Sequence, residues 1–245
     1  MGYEIRDRVA RITINRPARR NSLTWAAIGE LARRLTDARD DPDVRVVVLT
    51  GAGEAAFCSG IDLADMGRGD PDLLAGLFEQ LWGLGKPTIA AVRGFALAGG
   101  FGLALACDVV VCADHSIFGA PEIDLGLWPF VITVPLVRSM PPKKALELML
   151  TGRRVGAEEA ARIGFVNRVV PATELESAVS ELAATLAAKP PGAVKAGRDA
   201  FYAVWDMAAA DALASLAPLL AAATATGEAV EGIAAFNQKR PPSWR

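Results

Sequence analysis

The stretch Gly94-Phe-Ala-Leu-Ala-Gly-Gly-Phe-Gly-Leu-Ala-Leu-Ala-Cys-Asp108 constrains this chain more than any other. Glycines stand where an apolar helical run begins, and the first N–H groups of a helix have no acceptor within it. The segment Phe57-Cys-Ser-Gly-Ile-Asp62 ends an apolar, strand-like run in the same way. Two such N–H groups converging on one carbonyl oxygen make an oxyanion hole. A glycine pair alone reads better as close packing of a helix on a strand, but the second segment, together with Glu122, shifts the reading toward chemistry.

At 245 residues and 52% apolar content, the chain suits one compact α/β domain with a small helical appendage. We place the boundaries at 1–190 for the core and 191–245 for the C-terminal helical region. A formal charge of −2 supplies no general attraction to nucleic acid or an anionic membrane. Cys58, Cys107 and Cys112 are odd in number, lack metal-ligand spacing and lie in apolar runs. Reduced, buried thiols are expected, and no metal site. His115, the only histidine, reads as a turn residue, which leaves no Ser-His or Cys-His pair. No basic-then-apolar leader opens the sequence, and the apolar run Gly94 to Cys107 is shorter than the ~20 residues of a membrane span. A soluble, cytoplasmic protein is expected.

Strand-like runs at Val9 to Asn15, Val44 to Thr50, Thr88 to Val92 and Val109 to Ala113 alternate with an amphipathic helix at Trp25 to Asp40 and an apolar one at about Ala98 to Cys107. Val46-Val-Val-Leu49 and Val109-Val-Val-Cys112 do not alternate, as expected of strands covered on both faces. Beyond roughly Pro141 the chain reads as helices at Lys143 to Thr151, Ala157 to Ile163, Glu174 to Ala188, Gly192 to Trp205 and Ala208 to about Phe236. The last of these is rich in alanine and too poor in bulky side chains to build a core alone.

Asn15-Arg-Pro-Ala-Arg-Arg-Asn-Ser-Leu23, Phe57 to Asp62, Gly94 to Gly100, Ala120-Pro-Glu-Ile-Asp-Leu-Gly126 and Leu150-Thr-Gly152 together resemble, in order and spacing, the crotonase (enoyl-CoA hydratase/isomerase) superfamily. The resemblance runs from about Ile12 to Trp244. It implies an α/β fold, a crotonase-type ββα spiral with a C-terminal α-helical trimerisation region, assembled as a homotrimer or dimer of trimers. It also implies an acyl-CoA thioester as substrate, with coenzyme A entering only as part of it and no separate cofactor.

Matched position by position, the resemblance puts the oxyanion N–H donors at Ile61 and Gly99 and the general acid/base at Glu122. The apolar neighbours Ile123, Leu125, Leu127 and Trp128 should raise that carboxyl's pKa. Coenzyme A contacts fall at Arg19, Arg20, Ser22, Ser59, Ile61 and Leu63, with Phe236 and Lys239 reaching the nucleotide end, often across a subunit boundary. Enoyl-CoA hydratases carry another glutamate three residues after the oxyanion glycine, facing the same pocket, where this chain has Gly102. That departure resembles single-glutamate Δ3,Δ2-enoyl-CoA isomerases, as does the turn Gly126-Leu-Trp-Pro-Phe130. Isomerisation is therefore the first expectation and enoyl-CoA hydration the alternative, with Asp62, Asp65 or Glu79 able to supply a second acid. A non-catalytic CoA- or RNA-binding scaffold is a further alternative, against which net acidity weighs.

Overall fold

The computed structural model describes residues 1–244. Its strands are β1 (Gly2–Arg6), β2 (Val9–Ile14), β3 (Val46–Gly51), β4 (Ala56–Cys58), β5 (Thr88–Val92), β6 (Phe95–Leu97), β7 (Val109–Ala113), β8 (Ile117–Gly119), β9 (Val155–Gly156) and β10 (Arg168–Val170). Its helices are α1 (Trp25–Asp40), α2 (Asp72–Trp82), α3 (Gly99–Ala106), α4 (Phe130–Ser139), α5 (Pro142–Thr151), α6 (Ala157–Ile163), α7 (Leu175–Ala187), α8 (Pro191–Val204), α9 (Ala209–Ala223) and α10 (Gly227–Asn237).

Six strands form a large sheet in the order β1-β2-β3-β5-β7-β10, parallel except for β1 at the edge. A smaller sheet runs β4-β6-β8-β9, with β9 antiparallel. The chain passes from a strand of the large sheet to one of the small sheet and returns by a helix: β3, β4, α2, then β5, β6, α3, then β7 and β8. This is the expected ββα spiral, and it brings the ends of β4, β6 and β8 side by side.

The large sheet is covered on both faces, which explains its unalternating sequence. Val47 and Leu49 of β3 face the main core with Ile28, Leu31 and Leu35 of α1. Val46 and Val48 face a second cluster with Leu175, Val179 and Ala183 of α7. The Thr24 hydroxyl accepts from the Ala27 N–H (3.1 Å) and starts α1.

Three features depart from expectation. The region beyond Pro141 is not helical throughout, since β10 completes the large sheet beside β7. Helices α2 and α4 had no separate signal, and α4 carries Pro135 inside it. The final helix is two, α9 and α10, bent by 65°, where the Thr226 hydroxyl accepts from the Ala229 N–H (3.2 Å) and begins a new helix. No residue of α9 is buried. Among the described residues no single helix is long and apolar enough to cross a membrane.

Candidate active site

The loop after β2 is held by Asn21, a fully buried residue at φ +54°. Its Oδ1 accepts from the Arg16 N–H (2.9 Å), and its Nδ2 donates to the carbonyls of Ala52 (2.9 Å) and Ala56 (2.6 Å). Asparagine tolerates the left-handed region better than most residues, and here its amide replaces absent backbone pairing. This anchors Arg19, Arg20 and Ser22 beside the end of β4, where the Ser59 N–H donates to the Arg20 carbonyl (3.1 Å).

Two chain crossings build the donor pair. Ala98, just before α3, sits at φ +52° and ψ −129°, a region favourable to glycine and costing about 1–3 kcal/mol for other residues. Its N–H donates to the Gly119 carbonyl (2.9 Å), so β8 fixes the bend. Behind it, a Cβ at Gly100 would lie 2.2 Å from the Cys58 carbonyl oxygen, so only glycine permits α3 to rest on β4. A Cβ at Gly60, which sits at φ +90°, would lie 2.7 Å from the Ala98 methyl. The N–H groups of Ile61 and Gly99 have no acceptor among the described residues. The Cβ direction of Gly99 leads to a point 3.8 Å from the Ile61 nitrogen, so the two donors border one small volume.

That volume opens into a cavity of about 710 Å³. Arg19, Arg20, Ser22, Ser59, Ile61, Leu63, Gly99 and Glu122 all line it. Phe236 and Lys239 do not: they lie at and beyond the end of α10, and Phe236 is 82% exposed. The resemblance puts them at the nucleotide end of coenzyme A, often across a subunit boundary, and within one chain they stand apart from this cavity.

Glu122 belongs to a single 3₁₀ turn, Pro121–Leu125, directly after β8. Pro121 starts the turn, and Gly126 in the left-handed region ends it. Gly152, closing α5 at φ +62°, abuts Asp124 and Ile123, which explains why Leu150-Thr-Gly152 accompanies the site. One carboxyl oxygen of Glu122, Oε2, is buried without a hydrogen-bond partner. Burial among apolar side chains pushes the carboxyl up to about 7, against the opposing pull of its own backbone N–H. A group so poised exchanges protons readily near neutrality.

Of the candidate second acids, Asp62 alone is among the residues that line the cavity. Asp62 lines the cavity but accepts from Arg16 (3.0 Å), Arg19 (3.4 Å), Ser22 (3.2 Å) and the Ala64 N–H (3.2 Å). The Ala64 N–H and the Arg16 guanidinium hold it below the usual carboxylate range. Asp65 lies outside the cavity wall, where its carbonyl accepts from the Trp25 indole (2.9 Å), and Glu79 is exposed on α2. Cys58, Cys107 and Cys112 are buried thiols, each pushed up to about 12 by desolvation. His115 is exposed beside Asp114 and off the cavity.

The resemblance to hydratases implies that position 102 faces the cavity. The structure instead seals that position beneath α4, since a Cβ at Gly102 would lie 2.5 Å from Ile132 Cγ2 and 3.0 Å from Phe78 Cζ. All eight residues of α3 are buried, so helical spacing cannot single out one face as the site. Ile132, Ala98 and Arg16 were missed as site residues. A glycine where a polar residue was expected was the one available sign of Ile132.

A family profile described as Enoyl-CoA hydratase/isomerase matches residues 4–245. Carnitinyl-CoA dehydratase of Proteus mirabilis is 37% identical over 98% of this chain and 96% of its own; that of Escherichia coli is 38% identical over 97% and 95%. Solved enoyl-CoA hydratases from Mycobacterium smegmatis (31% identity, TM-score 0.94) and Mycobacterium tuberculosis (35%, 0.91) each cover 99% of this chain and 97% of their own. The chain belongs to the enoyl-CoA hydratase/isomerase family of the crotonase superfamily, and it is an enzyme of that class. The relatives are named for hydratases and dehydratases, so the particular likeness to single-glutamate isomerases is not what these comparisons bring out.

Proposed function

We propose that the enzyme interconverts a 3-hydroxyacyl-CoA and a 2-enoyl-CoA, with Glu122 as its proton carrier. One observation carries the proposal: a carboxyl group with an unpartnered buried oxygen and a pKa near 7 shares a cavity with two unpartnered N–H groups. The Ile61 and Gly99 N–H groups would stabilise the thioester oxygen as charge develops on it. Glu122 takes the proton from C2, the enolate expels the C3 hydroxyl, and Glu122 returns the same proton to it as water leaves. Hydration runs these steps backward, and one carboxyl balances every proton. The names of the full-length relatives support this direction of reading.

Isomerisation of a 3-enoyl-CoA is the second reading, favoured by the closed niche at Gly102, which leaves Glu122 as the cavity carboxylate free of an ion pair. There Glu122 would move a proton from C2 to C4. Rates on 2-enoyl-, 3-hydroxyacyl- and 3-enoyl-CoA, each with wild type and Glu122→Gln, separate the two. Turnover of 3-enoyl-CoA alone overturns hydration, and turnover unaffected by Glu122→Gln overturns both.

Helix α9, which has no buried residue and leaves Leu213, Leu219 and Leu220 exposed, supports assembly into a homotrimer or dimer of trimers. In that assembly Phe236 and Lys239 are proposed to serve a neighbour's coenzyme A. Sedimentation velocity tests this, and a monomer at micromolar concentration overturns it.

A further inference from the structure

Four ionisable side chains line the cavity: Arg19, Arg20, Asp62 and Glu122. The charge of Asp62 is taken up by Arg16 and Arg19, so Glu122 is the cavity's one carboxylate without an ion pair. Over Gly102 the nearest side-chain atoms are hydrocarbon, Ile132 Cγ2 and Cβ and Phe78 Cζ. Ile132 both lines the cavity and is 2% exposed, which places it deep in the wall. At the other extreme, Leu63, Leu125 and Leu127 stand exposed on the cavity lining, a surface that hydrocarbon would cover.

We infer that the acyl group accepted here is uncharged and apolar, and that Ile132 sets this preference by filling the niche over Gly102. The inference rests on the acyl-CoA reading above and narrows it. A carnitinyl thioester, for which the dehydratase relatives are named, carries a trimethylammonium group on C4. Burying that charge demands a counter-charge or several aromatic faces. This cavity offers Trp128 alone as a partly buried ring, since Phe130 is 76% exposed. Glu122 is a poor counter-charge, because its buried oxygen has no donor to support ionisation, and a cation that drew it into the ionised form would make it a weaker base.

Calorimetric titration of the full-length enzyme with unreactive saturated thioesters tests this without relying on turnover. The decisive pair is 4-(trimethylammonio)butyryl-CoA and its neutral isostere 5,5-dimethylhexanoyl-CoA, with butyryl-CoA and free coenzyme A beside them. The neutral isostere should bind at least about tenfold more tightly than the cation. Ile132→Ala should favour 5,5-dimethylhexanoyl-CoA over butyryl-CoA by about threefold or more relative to wild type, and Ile132→Asp should shrink the preference against the cation. Thermal melts confirm that each variant folds; should Ile132→Asp fail, wild type and Ile132→Ala decide the matter. Equal or tighter binding of the cation by wild type overturns the inference while leaving the acyl-CoA reading intact. Absence of binding by every thioester and by coenzyme A overturns that underlying reading and the inference with it.

Discussion

At the Asp62 corner of the cavity the carboxylate is surrounded by donors, two guanidinium groups, a hydroxyl and a backbone N–H. At the Glu122 turn, on the same cavity, one oxygen has none. The two acids differ more in their surroundings than in their ordinary acidity, 3.8 for aspartate against 4.5 for glutamate. Asp62 is held ionised and ties the loop after β2 to the segment after β4; Glu122 is held near the point where it gains and loses a proton. The contrast teaches that proximity to a cavity does not make a catalytic acid. What distinguishes the candidate is hydrogen-bonding capacity left open.

The largest test of that contrast is kinetic. Glu122→Gln should lower kcat by about 10²–10⁴-fold on the best thioester while leaving its affinity within a few-fold. Asp62→Asn should change kcat by less than about tenfold. Reversal of that order in steady-state assays would exchange the two roles. In wild type, kcat/KM for a 3-hydroxyacyl-CoA should rise with pH and level off above about 7, because the free enzyme must present Glu122 ionised.

A structural test bears on why Glu122 stands alone. Gly102→Glu should destabilise the fold by about 3 kcal/mol or more, since the new Cβ collides with Ile132 close to its own branch point. Combining it with Ile132→Ala should recover much of that loss in chemical denaturation. A single variant as stable as wild type would show that α4 yields easily and that the niche is not closed.

A third test uses linkage. The folded-state pKa of Glu122, about 7, lies above the ordinary 4.5, so the fold prefers the neutral carboxyl. Its contribution to stability is full below about pH 4.5 and is lost as pH rises through 7. Glu122→Gln should therefore be more stable than wild type at pH 8, by on the order of 2–3 kcal/mol, and similar to it at pH 4. Asp62 has the opposite sign: its depressed pKa gives stability above the ordinary carboxylate range that disappears as pH falls through the folded value. Asp62→Asn should lower Tm at pH 7, the smallest effect of the set, and the difference should vanish in strong acid.

The same division governs what could be read from sequence. The large sheet was legible because β3 and β7 are runs long enough to display unbroken apolar character. The small sheet was not recognised, since β4, β6 and β8 have three residues each and show no period. Yet the segments that bear Ile61, Gly99 and Glu122 follow directly on β4, β6 and β8. Ile61, Gly99 and Glu122 were named by the resemblance of whole motifs to a family, and the structure brings all three to the lining of one cavity. Ile132 escaped, as its contact with Gly102 joins helices whose pairing no local pattern encodes. The run Ala208 to Phe236 hid its break at Thr226 because a threonine cap among alanines is a weak signal beside helical propensity.

Ala98 carries a consequence for how the enzyme comes to be active. Its backbone preference opposes the fold, a case of local frustration resolved only by contacts distant in sequence, from Gly119 and Gly60. Those contacts exist once β4, β6 and β8 have docked together. A partly folded chain can have its large sheet and most of its helices and still lack a donor pair. On the proposed mechanism activity therefore depends on that docking, and under mild denaturant it should disappear before the helical signal does.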